Sequence, residues 1–247
     1  CYGWAKTVIL GELSFESCDI TLINEDGIVG GDGVDLRYES VIDKISFNDC
    51  TIANGFRTFF RNYPQTTGSP AATIKELGFT NNTVSNLCAV NSTNNAGLFA
   101  FTEVPGAFTF KNNLFLNMGE KAALVSSNTK YFPLNDLNTT AAKNYFHNCP
   151  EATFFNSNAT VSMAAGKILD DAPCYNAAGG IFNILPDSEI AGEGIGASKW
   201  WVAYTEEPMD LRLTDVGAKH TWDFSDAKYF TGTIKKAGVA DNLATYP

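Results

Sequence analysis

A short segment that combines cationic and aromatic residues, Arg57-Thr58-Phe59-Phe60-Arg61, has the clearest potential for ligand chemistry in this sequence. If the segment is a strand, alternate side chains share a face. This alternation predicts that Arg57, Phe59 and Arg61 face outward, and such a row could hold an acidic sugar. The row could equally be a solvated face or a set of ion-pair partners for nearby carboxylates, which is the interpretation we favour.

The acidic residues expected to partner this row are Asp32, Asp35 and Glu39, with Arg37 nearby. We expect them to lie in a loop. Lyase chemistry on a uronate needs Ca²⁺ held by several carboxylates on one outer sheet, and a basic residue that accepts a proton. No carboxylate recurs in register along the chain. We therefore assign no catalytic residue, metal site or cofactor, and Ca²⁺ enters only under a lyase alternative.

Two adjacent tryptophans, Trp200 and Trp201, are the second candidate for ligand binding. Paired tryptophan rings can form a platform on which sugar rings stack. The alternative, which we favour, is that they pack against the last repeat as a cap, because large aromatic side chains are usually mostly buried. The six cysteines form no C-x-x-C pair and the chain has only two histidines, so zinc and iron–sulfur sites are not predicted.

A repeat of about 32 residues must position these side chains. The first four copies read Φ-x-Phe-x-x-[Cys/Asn]-x-Φ, where Φ is apolar, and a degraded fifth copy is Phe146-x-x-Cys149. The phenylalanines of the five copies are Phe15, Phe47, Phe79, Phe110 and Phe146. The polar or cysteine positions are Cys18, Cys50, Asn82, Asn113 and Cys149, and Asn54, Asn86 and Asn117 each follow one of them by four residues.

This pattern predicts two short strands separated by a bend in every repeat. The Φ-x-Phe pair places two apolar side chains on one face of a strand, and x-Φ begins a second strand on a new face. If successive repeats stack, equivalent residues form columns with strands about 4.8 Å apart. A phenylalanine column forms an aromatic core. Asparagine at the bend can hydrogen-bond along the stack and tolerates a left-handed backbone, and cysteine fits the same slot as a small buried residue.

These repeats, including Phe110-Lys111-Asn112-Asn113-Leu114-Phe115-Leu116-Asn117, resemble the pectate-lyase-like right-handed β-helix domains. The sequence is most similar to the uncharacterised β-helix modules of surface lipoproteins from gut Bacteroidetes, and 230–238 resembles their terminal segment. The resemblance implies an all-β, single-stranded right-handed parallel β-helix (a solenoid) over residues 1–185. It also implies a loop and an aromatic-rich C-terminal cap over 186–247, packed on the same domain. The family carries no established reaction.

The bulk composition narrows the choice of partners. The formal net charge is −10, which argues against nucleic acid and anionic membranes. No stretch approaches the roughly 20 apolar residues that span a bilayer. We expect a monomeric module of a longer chain, displayed outside the cell at the outer-membrane surface. We expect it to bind polysaccharide without catalysis or to mediate surface adhesion. The alternatives are a polysaccharide lyase that uses Arg57 or Arg61 and a purely structural stalk.

Overall fold

The computed structural model describes residues 9–21, 30–37, 39–64, 70–87, 97–103, 105–119, 139–149 and 166–202. Contacts between Cα atoms divide the chain into two compact units, Cys1–Tyr204 and Thr205–Pro247. The described residues all belong to the first unit. The second unit, which holds most of the predicted aromatic cap, lies outside them.

The described residues form an all-β fold, as predicted, in which three sheets are parallel. The strands are β1 (Ile9–Glu16), β2 (Asp19–Thr21), β3 (Gly30–Arg37), β4 (Val41–Asn48), β5 (Thr51–Ala53), β6 (Phe56–Tyr63), β7 (Thr73–Thr80), β8 (Thr83–Ser85), β9 (Gly97–Phe101), β10 (Ala107–Lys111), β11 (Leu114–Leu116), β12 (Thr139–Ala142), β13 (Asn144–His147), β14 (Gly166–Ile168), β15 (Cys174–Asn176) and β16 (Ile181–Ile184). Two short 3-10 helices cover Ala177–Gly179 and Ser198–Trp200.

From β1 to β13, successive strands of the chain belong to different sheets. The long sheet has the order β1-β4-β7-β10-β12, and the short sheet has the order β2-β5-β8-β11-β13-β14. The third sheet has the order β3-β6-β9, and β15 pairs with β16 in an antiparallel hairpin. In the first repeats, each strand therefore pairs with the strand three positions later in the chain.

The register of the long sheet confirms most of the predicted phenylalanine column. Phe15 pairs with Phe47, Phe47 with Phe79, and Phe79 with Phe110. The rings of Phe15 and Phe47 are stacked with centroids 4.7 Å apart. From Phe47 onward these side chains are fully buried, so the column forms the centre of the core, where aromatic contacts add to area burial.

The last copy of the repeat is assigned wrongly by the sequence pattern. Phe146 lies in the short sheet, where it pairs with Phe115 and not with the Phe110 column. Cys149 follows Phe146 by three residues, as Met118 follows Phe115, so it is not the counterpart of Asn113. That counterpart is Asn144, which accepts a hydrogen bond from Asn113 Nδ2 at 2.8 Å.

The bend between the long and short sheets depends on two features. One residue at each bend has a left-handed backbone conformation, and the side-chain amides of Asn82 and Asn113 form a buried column. The residue before each Cys/Asn position has a positive φ, as at Asp49 (59°), Asn81 (54°) and Asn112 (56°). Asn82 and Asn113 are 0% exposed, and their amides hydrogen-bond to each other and to backbone groups of neighbouring repeats. The column thus satisfies polar backbone at the point where strand pairing is interrupted.

Candidate functional site: an asparagine groove

The predicted row of Arg57, Phe59 and Arg61 does not form, because Phe59 faces the core. Its side chain is 1% exposed and its ring centroid lies 5.0 Å from that of Phe47. Phe60 is buried as well, so two consecutive residues of β6 face inward and the alternation shifts by one. The prediction of an outward-facing Phe59 is therefore wrong. Arg57 belongs to β6, but its side chain lies outside the described part of the chain.

Arg61 belongs to a cluster of charges on the third sheet. Its Nη1 lies 2.6 Å from Asp32 Oδ2, and its Nε lies 3.7 Å from Asp35 Oδ1. Arg37 donates from Nε and Nη2 to Asp35 Oδ2 at 2.9 and 2.7 Å. These contacts match the ion-pair interpretation, although Asp32 and Asp35 lie on strand β3 (Gly30–Arg37) and not in a loop. Two cations and two anions cancel, so this cluster adds no net positive charge. A role for Arg57 or Arg61 in glycan binding stays a prediction.

The two tryptophans have different surroundings and do not share one platform. Trp200 Nε1 donates to Thr51 Oγ1 at 2.8 Å, and its ring packs edge-on against Phe182 at 5.3 Å. Trp200 therefore packs on the outer face of the short sheet, not on the last repeat. Trp201 is 48% exposed, and its Nε1 donates to the Ile195 carbonyl at 2.9 Å. Its ring lines a mostly apolar cavity of about 260 Å³ beside Ile190.

A segment that we call the outer cover, residues 169–201, lies across the outer face of the short sheet. It buries a second hydrophobic cluster, in which Leu114 and Leu116 of β11 contact the cover. Its contacts follow the strand order from β14 to β2: Glu189 with Lys167, Glu193 with Lys143, Gly196 N–H with Asn112 O, Ala197 N–H with Thr83 Oγ1, Ser198 with Asp49, and Lys199 with Asp19. The segment 186–199, which was predicted to be a loop, thus covers the outer face of the short sheet.

Asp49 is an anchor of the outer cover. Its carboxylate accepts the Ser198 backbone N–H at 2.5 Å, the Ser198 hydroxyl at 2.9 Å and the Ser17 hydroxyl at 2.7 Å. Burial alone would raise the pKa of Asp49. The hydrogen bonds from Ser17 and Ser198, together with the nearby Lys199 ammonium, outweigh burial and lower it below its ordinary value. Asp49 therefore stays ionised in neutral solution and holds the cover by charge-assisted hydrogen bonds.

A groove of about 530 Å³ lies along one margin of the outer cover, and we call it the asparagine groove. One wall is a column of asparagines that each follow a strand of the short sheet: Asn54, Asn86, Asn117 and Asn148. The opposite wall is the 3-10 turn Ala177–Gly180 together with Phe182. The remaining lining residues are Ala53 and Ser85, so no charged side chain lines the groove among the described residues.

The asparagines of the groove form two hydrogen-bonded amide pairs, and we call the four amides together the ladder and each of them a rung. Asn86 Nδ2 donates to Asn54 Oδ1 at 2.8 Å, and Asn148 Nδ2 donates to Asn117 Oδ1 at 2.8 Å. An asparagine amide has two N–H donors and two acceptor lone pairs. Each pair uses one N–H of one amide and one lone pair of the other, so every rung keeps at least one donor and one acceptor lone pair to offer a ligand. The fixed strand spacing repeats this offer about every 4.8 Å.

Backbone conformation alone does not explain why all four groove positions are asparagine. All four have a positive φ, between 49° and 64°, which asparagine tolerates well. The left-handed column on the other side of the short strands has similar φ values, but it contains Ser17, Asp49, Asn81, Asn112 and Lys143. The uniform amide chemistry of the groove thus exceeds what its backbone requires.

Comparisons with protein-family models, curated proteins and solved structures gave no match. Within the described ranges, no group of three or more His, Cys, Asp or Glu is arranged to hold a metal ion. No helix in the described part of the chain is both long and apolar enough to cross a membrane.

Sequence reasoning singled out three of the groove asparagines as a recurring position but assigned them no role. Asn148 was missed because the last copy of the repeat was placed in the wrong register. The outer cover was missed too, although Leu114-Phe115-Leu116 carries a signal for it. An uninterrupted apolar strand is typical of a strand buried on both faces, and this run predicts a covering segment outside the short sheet.

Proposed function

We propose that this chain is a right-handed parallel β-helix module that binds polysaccharide at the cell surface without catalysing its cleavage. Three parallel sheets support the β-helix, because neighbouring strands in the first repeats are three positions apart in the chain, as expected if each turn contributes one strand to each sheet. The repeat pattern and its resemblance to pectate-lyase-like domains support the same fold.

One observation carries the binding proposal: the asparagine groove presents a regular row of amides beside an open cleft. Sugar hydroxyls are both donors and acceptors, and so are asparagine amides. A row of equivalent amides at strand spacing suits a ligand that is itself a repeating chain. The wall formed by Ala177–Gly180 and Phe182 gives such a chain a second, largely apolar surface to lie against.

The lyase alternative has less support. The arginine that would accept or stabilise charge, Arg61, is held between Asp32 and Asp35. The two carboxylates neutralise this arginine, and a guanidinium group donates hydrogen bonds but has no lone pair with which to accept a proton.

The test is affinity gel electrophoresis of the 247-residue chain through gels that contain single polysaccharides. We expect retention on at least one of them. The affinity of the double variant Asn86→Gly/Asn117→Gly should be lower by a factor of about ten or more, since each lost hydrogen bond contributes about 0.5–1.5 kcal/mol. Glycine keeps the left-handed backbone and removes only the amide.

The matched control is Asn81→Gly/Asn112→Gly. These residues lie on the same repeats, have similar φ values and form a hydrogen bond with each other at 3.0 Å, but they lie outside the groove. We expect their replacement to leave retention unchanged. Equal weakening by both pairs, or no retention on any polysaccharide, would refute the proposal. A rise in ultraviolet absorbance from unsaturated uronate products would show that the protein is a lyase instead.

A further inference from the structure

We infer that the polysaccharide in the asparagine groove is uncharged, and that it lies along the asparagine column, across the strands, in contact with about four successive sugar units. This inference rests on the proposed function and adds to it the class of ligand and its direction.

The charges of the molecule favour an uncharged ligand. The described lining of the groove consists of amides, alanines, glycines, a serine and a phenylalanine, and it contains no Lys or Arg. The chain as a whole carries a formal net charge of −10. A uronate or sulfated polymer would therefore approach a repelling surface and find no cation in the described groove to pair with.

The chemistry of the groove wall also favours hydroxyl groups as partners. Carboxylates and sulfates are acceptors only, so they would use the N–H groups of the ladder and leave its carbonyl lone pairs facing an anion. Hydroxyl groups can accept from one rung and donate to the next. A neutral sugar chain therefore satisfies both halves of each amide, whereas the carboxylates or sulfates of an acidic chain satisfy only the N–H half.

The geometry of the column fixes the direction and length of the contact. Asn54, Asn86, Asn117 and Asn148 follow four successive strands of one parallel sheet. With strands about 4.8 Å apart, the column extends about 14 Å from its first to its last rung. A pyranose unit in an extended chain has nearly the length of one strand spacing, so about four units match four rungs.

The experiment has two arms, both with the full chain. In the first, affinity gels contain either neutral polymers (β-glucan, galactomannan, xylan, dextran) or acidic ones (polygalacturonate, alginate, chondroitin sulfate). In the second, oligosaccharides of two to six units, prepared from a retained polymer, are titrated by calorimetry. We expect retention on a neutral polymer. We expect its strength to be unchanged between about 50 mM and about 500 mM NaCl, because no charges are paired on binding.

We expect affinity to rise with oligosaccharide length and to level off at about four units, one for each rung. The variant Asn86→Asp keeps the shape and the tolerated backbone but replaces the N–H donors by a negative charge. It should weaken neutral binding about threefold to tenfold, the effect of losing a single hydrogen bond. Thermal unfolding of each variant shows whether the fold is intact, and Asn81→Asp is the control outside the groove.

The possible outcomes separate the two proposals. Retention only on acidic polymers, lost in Asn86→Gly/Asn117→Gly, would overturn the uncharged class while the proposed function stands. Affinity that is already maximal at two units would overturn the lengthwise arrangement. No retention on either kind of polymer would overturn the proposed function and this inference together.

Discussion

Replacing Asn113 by alanine tests whether the buried amide column holds adjacent repeats together. Asn113 is fully buried, and its Nδ2 donates to the Phe79 carbonyl at 2.9 Å and to Asn144 Oδ1 at 2.8 Å. Its Oδ1 accepts from the backbone N–H and the side-chain amide of Asn82, at 3.0 and 3.1 Å. One side chain thus connects three repeats.

The size of the effect follows from the groups that Asn113→Ala leaves behind. The Asn82 amide keeps its bond to the Phe47 carbonyl, and Asn144 Oδ1 keeps the Asn113 backbone N–H. The Asn82 backbone N–H and the Phe79 carbonyl lose the bonds that the side chain gave them. An unsatisfied buried group costs about 1–3 kcal/mol, so the free energy of unfolding should fall by about 4 kcal/mol.

Urea denaturation followed by circular dichroism measures this change, with Asn112→Gly as the control. Asn112 is adjacent, left-handed and hydrogen-bonded to Asn81, but it lies outside the buried column. We expect the control to lose less than about 1 kcal/mol, because its amide is only partly buried and glycine suits its backbone. A loss below about 1 kcal/mol for Asn113→Ala would refute the view that the column stabilises the bend.

Two further predictions concern the core. Gly33→Ala should lower the free energy of unfolding by about 2 kcal/mol, because its Cβ would lie 2.7 Å from the Phe59 carbonyl oxygen and 2.9 Å from Phe59 Cδ2. The control Gly11→Ala should leave the free energy of unfolding nearly unchanged, because no atom lies within 4 Å of the added Cβ. Equal losses of stability in the two variants, measured by urea denaturation, would contradict this explanation. Burial raises the pKa of Cys50 to about 11 and that of Cys149 to about 12, from 9.0. Both thiols should therefore resist iodoacetamide at about pH 8 until the chain unfolds, as followed by mass spectrometry. Because the folded state holds these protons more tightly, their contribution to stability is present below pH 9 and is lost as the pH rises towards 11–12.

The parallel sheets and most of the aromatic core could be predicted because their signals are local and periodic. Phe15, Phe47, Phe79 and Phe110 recur at a spacing that matches the strand register. The fifth copy failed for a physical reason. The second strand of a repeat also carries an inward apolar residue followed three positions later by another, as in Phe115 and Met118, so Phe146-x-x-Cys149 imitates the start of a repeat.

The features that could not be predicted depend on contacts between distant residues. Phe59 turns inward because Gly33 on the neighbouring strand leaves room for it, and strand alternation alone gives the opposite face. The outer cover contacts the short sheet through pairs as distant as Trp200 and Thr51. The asparagine groove needs both the column and the cover, so neither its depth nor its second wall is visible in the repeat.

The side-chain amide signals of the groove test the central claim most directly. In nitrogen–proton correlation spectra, titration with a four-unit oligosaccharide from a retained neutral polymer should shift the NH₂ peaks of the groove asparagines: Asn54, Asn86, Asn117 and Asn148. The NH₂ peaks of Asn81 and Asn112, which share the backbone conformation but lie outside the groove, should stay in place. Shifts at Asn81 and Asn112 with unchanged groove peaks, or no shifts at saturating ligand, would contradict the account.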